Sequence, residues 1–177
     1  PLFIFKGGPL KKESHIYSLK QLIQLTPPDV IKRSKSITIS ITRAIEDLDR
    51  AGNPFKKVQI KAKDPKGSGK TKAITFRLYG DNKNLLENKV WCHCSCEYFT
   101  FNLEVALTAQ DSSTVINSNG NMPVEKNPRM KGHLCKHLMA AIHHIKSVKF
   151  AGKKSYKNTP VPTEEELLEE LLKHKRL

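Results

Sequence analysis

The chain reads as an α+β protein, with a small antiparallel sheet, helices beside it, a cysteine-rich metal site at its centre and a separate C-terminal helix. Three observations lead there. Val58–Lys63 and Ala73–Tyr79 alternate apolar and polar residues on either side of a stretch containing Pro65, Gly67 and Gly69, the pattern of a β-hairpin. Leu134, Leu138, Ala141, Ile142 and Ile145 recur at the spacing of one helix face. Cys92, Cys94 and Cys96 take alternate positions in VWCHCSCEYF, and the fourth cysteine follows in HLCKHL.

From the N-terminus, the chain begins at Pro1 without Met, which reads as a trimmed start. The PLFIF run is too short for a secretory signal core, and no run approaches the roughly 18 apolar residues that span a bilayer. A soluble, non-secreted protein is expected. Ser18 is a plausible cap for helical spacing over Leu19–Leu25, which Pro27 and Pro28 stop, and residues 29–35 read as a second short helical turn. Ser36–Ile41 alternates as a strand, and the stripe Ile41, Ala44, Ile45, Leu48 predicts that it runs into a helix over Arg43–Arg50. The hairpin follows. Its loop contains GSGKT, but the phosphate-loop pattern needs Gly at position 64, which is Asp, and a helix afterwards, where a strand pattern begins.

A turn at Gly80–Asn84 leads to a strand expected over Lys89–Cys96. Phe99, Leu103, Ala106 and Leu107 favour helix for residues 99–107, and residues 111–129 read as an irregular excursion. Leu134–Ile145 is a helix. Beyond it, 148–162 reads as a linker, and 163–177 as an amphipathic helix with a capping box at Thr163 and Glu166 and a Leu167, Leu168, Leu171, Leu172 stripe. The expected units are therefore 1–57, helical and strand; 58–147, hairpin plus metal module; 148–162, linker; and 163–177, C-terminal helix.

The net charge of +14 is uneven. Residues 1–90 hold 19 Lys+Arg against 8 Asp+Glu, a net +11, and residues 91–177 hold 12 against 9, a net +3. Such a field favours polyanions, so DNA is the second candidate partner, with Lys66, Lys70 and Lys72 at the hairpin tip as the expected contacts.

Side chains 92, 94 and 96 of an extended strand point one way, with about 6.6 Å between neighbours. An adjacent pair can lean onto one ion, since Zn–S bonds are about 2.3 Å, whereas three in a straight row span too far unless the chain turns. One neighbouring pair then binds and one cysteine is spare. Thiols so close on one strand are poorly placed to bridge one another, so a reducing compartment and a metal site are expected rather than disulfides. Cys135-x-His137 at a helix start supplies the other two ligands. The result is a Cys₃His set for one structural zinc ion, with no open position for a substrate.

These residues resemble the SWIM-type zinc finger, C-x-C followed by a spacer and C-x-H, with an aromatic residue three positions after the second cysteine and Lys before the His. Here Cys94-Ser95-Cys96 precedes Phe99, and Cys135-Lys136-His137-Leu138 closes the pattern. The resemblance selects Cys94, Cys96, Cys135 and His137 as the metal ligands and leaves Cys92, His93 and His133 as neighbours. It covers about a third of the chain, over residues 90–145. The spacer of 38 residues is longer than in ordinary SWIM fingers, and with Ser118-Asn119-Gly120, Asn127-Pro128 and CKHL it is similar to SWIM-like proteins of tailed bacteriophages. The resemblance implies a compact β-β-α zinc module in a virion or in the infected host's cytoplasm, making contacts with protein subunits of an assembly or with DNA. Catalysis is not expected, because the H-x-E, P-C-x-x-C and HExxH signatures of zinc enzymes are absent. No small-molecule substrate is implied.

Overall fold

The computed structural model describes residues 16–49, 52–66, 69–80 and 82–151. The expected C-terminal helix at 163–177, most of the expected linker and the PLFIF start lie outside the described residues. The fold is α+β, as the alternation of periods predicts. Its centre is a four-stranded antiparallel sheet in the order β1 (Thr38–Leu48), β2 (Pro54–Lys63), β3 (Thr71–Tyr79), β4 (Lys89–Cys94). Among the described residues no helix is long and apolar enough to cross a membrane.

Two short helices precede the sheet. In α1 (Leu19–Leu25) the Ser18 Oγ accepts from the Gln21 amide at 3.2 Å while the Gln21 Oε1 accepts from the Ser18 amide at 2.8 Å, so the cap is reciprocal. Pro28 opens α2 (Pro28–Ser34), where its missing N–H removes nothing the helix could use.

Of the helix expected over Arg43–Arg50, residues 43–48 are strand. β1 continues to Leu48, and its register with β2 slips between Ile41 and Arg43, leaving Thr42 as the extra residue of a bulge. The slip puts Ile41 opposite Ile60 and Ala44 opposite Val58, on one face although three apart in sequence. That spacing mimics a helical stripe, and pairing with β2 decides the outcome. The strand expected to run to Cys96 ends instead at Cys94, where the chain turns into α3 (Glu97–Asn102). The apolar 99–107 segment is helical but broken at Leu103, giving α3 and α4 (Glu104–Thr108).

One face of the sheet is apolar. Val58, Ile60, Ala62, Ile74, Phe76, Leu78, Val90, Cys92 and Cys94 are all buried there, in one core with Leu138, Ala141, Ile142 and Ile145 of α5 (Lys136–Ile145) and with Leu19 and Leu22 of α1. Residues 57 and 58, where the sequence suggests a change of unit, are neighbours on β2. The free edge of β4 is covered: the Val90 amide donates to the Tyr17 carbonyl and the Cys92 amide to the Ser112 carbonyl, both at 2.9 Å. Beside this edge Gly132 has no room for a side chain unless Tyr17 shifts, because a Cβ there would run into the Tyr17 ring. The Thr26 hydroxyl donates to the Leu22 carbonyl at 2.6 Å and accepts from the Leu134 amide at 3.0 Å, which fixes the approach to α5 against the end of α1.

Candidate metal centre

Each cysteine of the site ends or begins an element. Cys94 is the last residue of β4, Cys96 is the N-cap of α3, and Cys135 is the N-cap of α5, with His137 on the first turn of that helix. The turn after Cys94 resolves the difficulty of three thiols in a row. It carries Cys96 out of the strand line, while Cys92 stays in the sheet and faces the core. The ligand atoms of Cys94, Cys96, Cys135 and His137 all lie within 4.8 Å of one another, and all four residues are buried. Tetrahedral Zn–S bonds set donor atoms about 3.8 Å apart, so the cluster is of the size that one ion requires.

The turn is held by a reciprocal pair of hydrogen bonds to β3. The Ala73 amide donates to the Ser95 Oγ at 2.9 Å, and the Ser95 amide donates to the Ala73 carbonyl at 3.0 Å. Across the site, the Lys136 ammonium is paired with the Asp64 carboxylate at the end of β2, and that hydrogen bond lowers the Asp64 pKa. Both helix starts are thus tied to the sheet.

The helix starts also polarise the sulfurs. The Phe99 amide donates to Cys96 Sγ at 3.4 Å and the Leu138 amide to Cys135 Sγ at 3.5 Å, and helix N-termini favour thiolate over thiol. Hydrogen bonds from the Cys135 and Cys94 thiols hold the Cys96 pKa far below the usual thiol range, while burial raises those of Cys94 and Cys135. A dication would stabilise all three thiolates. Cys92 differs: burial pushes its pKa up to about 12, the state of a small neutral core residue.

The Nδ1 of His137 is buried and has no hydrogen-bond partner among the described residues. A buried polar atom left so costs about 1–3 kcal/mol. Metal-bound imidazole is the arrangement that would remove the cost, and three sulfurs with one imidazole form a donor set suited to zinc.

The remaining expected residues fall outside the cluster. His133 is buried with Nδ1 3.1 Å from the Leu134 carbonyl oxygen, and His93 turns to Glu104. Lys66 stands exposed beside the hairpin turn, whereas Lys70 and Lys72 line a cleft of about 310 Å³ next to Cys96, Cys135 and His137.

Sequence reasoning missed Glu104. Its side chain is fully buried, accepts from the Asn117 and Ser118 amides, and lies 3.2 Å from His93 Nε2. It pins the long spacer against β4 one residue from Cys94. Nothing local marks it, since a glutamate at a helix start usually faces solvent.

No family model, curated protein or solved structure matches the chain.

Proposed function

We propose that this chain is a zinc-binding structural protein, without catalysis of its own, that makes protein–protein contacts within an assembly. One observation carries the reading: four buried ligand atoms drawn from β4, the start of α3 and the start of α5 converge within 4.8 Å. Cys94, Cys96, Cys135 and His137 hold the zinc. The ion joins the end of a strand to the starts of two helices and so adds a cross-link to the packed core. Four protein ligands fill a tetrahedral shell, so no coordination position remains for a substrate.

The long spacer supports the assembly role. It exposes Ile116, Met122 and Val124 at 57%, 69% and 82% of their surface, apolar side chains that a partner subunit would cover. The resemblance of the C-x-C, spacer and C-K-H-L series to SWIM-like proteins of tailed bacteriophages supports a place among virion subunits.

Elemental analysis of protein purified under reducing conditions tests the metal. One equivalent of zinc is expected in the wild type and also in Cys92→Ala, which loses about 1–2 kcal/mol of core packing and no ligand. A metal-free wild type, or loss of zinc from Cys92→Ala, contradicts the assignment.

A further inference from the structure

The face of the sheet opposite the apolar core is a cation display. Residues opposite one another in an antiparallel pair share a face, and the register aligns Lys57 with Arg77 and Trp91, Arg43 with Gln59 and Thr75, Lys61 with Ala73, Lys63 with Thr71, and Tyr79 with Lys89. Six positive charges, Arg43, Lys57, Lys61, Lys63, Arg77 and Lys89, therefore stand on this face. Two carboxylates border it: Asp47 at one corner, opposite Phe55, and Glu104, buried against His93 at the β4 end.

None of the six forms an ion pair among the described residues: Lys20–Glu87, Arg33–Asp29 and Lys136–Asp64 lie elsewhere, and His93–Glu104 closes the β4 end of this face, where His93 stands opposite Thr75 and the Trp91 indole N–H donates to the Thr114 hydroxyl. Arg43, Lys61, Lys63 and Lys89 are exposed, as are Thr71 and Ala73 between them, while Lys57, Arg77, Tyr79 and Trp91 are half-buried. The Arg77 guanidinium lies 4.6 Å from the centre of the Trp91 ring and 5.6 Å from that of Phe55, so its charge is fixed in place rather than free to swing away. Like charges collected without counter-charges raise the energy of a bare surface and lower that of a polyanion complex.

We propose that this face binds single-stranded nucleic acid, its phosphates neutralised by the six cations and its bases meeting Tyr79. The complement is chemical: a polyphosphate chain supplies the negative charge that the face lacks, and aromatic rings set among cations are the platform on which unpaired bases stack. A duplex fits less well, because a flat sheet face offers no ridge to enter a groove and its bases are already stacked. The inference does not depend on the metal, since none of these residues is a ligand.

Fluorescence anisotropy of the full chain with a labelled 16-nucleotide single strand tests it. Binding should weaken about 100-fold between 50 and 150 mM salt if all six cations engage, at about 0.7 counterions released per phosphate. Lys57→Glu with Lys61→Glu should weaken binding at least about tenfold and flatten the salt dependence. The same charge change made off the face, Lys32→Glu with Lys35→Glu on and beside α2, should retain most of the affinity. Both double variants must keep the wild-type melting temperature and zinc content, so that lost binding is not lost fold. The proposal is overturned by salt-insensitive or absent binding, by equal losses in the two variants, by a duplex of the same sequence binding as tightly, or by polyglutamate competing equally well.

Discussion

Cys135→Ala should lose the zinc proposed for the site and, with it, the ordered structure of residues 90–145. Structural zinc contributes about 10–16 kcal/mol to small metal-held folds, and a domain of this size has about 5–15 kcal/mol of stability in all. Removing one of four ligands therefore takes a large part of the margin. The cap that Cys135 Sγ gives the Leu138 amide adds only about 1 kcal/mol to the loss, so the metal decides the outcome. Thermal denaturation followed by circular dichroism should show a cooperative transition in the wild type that a chelator abolishes. In Cys135→Ala the transition should be missing or shifted far down, with no response to chelator. A variant that melts like the wild type would show that the cluster is held by packing alone.

Glu104→Ala should cost about 3–5 kcal/mol while leaving the ligands in place. The loss follows from burial: the carboxylate receives the Asn117 and Ser118 amides and faces the His93 ring, and truncation strands these groups inside the protein. Glu104→Gln should recover part of the stability, because it keeps the volume and one acceptor. Hydrogen exchange at the amides of Asn117 and Ser118 should rise by orders of magnitude in Glu104→Ala before the sheet amides respond. Unchanged protection at those two positions would remove Glu104 from its role as anchor of the spacer.

Where one period runs unbroken, the sequence is a good guide. The hairpin of β2 and β3 and the helix α5 follow from alternation and from the Leu138, Ala141, Ile142, Ile145 stripe, since each buries one face against the other. The start of β1 was legible in the alternation up to Ile41, but its continuation was not, because a single extra residue, Thr42, shifts the alternation and imitates a helix; only the partner strand shows which reading holds. The ligand cluster was legible as a set of spacings. The turn at Ser95, which takes Cys96 out of line with Cys92 and Cys94, depends on hydrogen bonds to Ala73, twenty-two residues away, and carries no local signal. Glu104 is the same case, buried by residues 13 and 14 positions downstream. The cations of the outer sheet face are half visible in Lys57, Lys61 and Lys63, which alternate with Val58, Ile60 and Ala62. Their alignment with Arg43, Arg77 and Lys89 needs the register of all four strands.

X-ray absorption at the zinc edge of the purified protein tests the centre most directly. The Cys94, Cys96, Cys135, His137 assignment predicts three sulfur neighbours at about 2.3 Å and one nitrogen at about 2.0 Å. A first shell containing oxygen, a different ratio of sulfur to nitrogen, or protein that takes up no zinc with all four thiols reduced would contradict it.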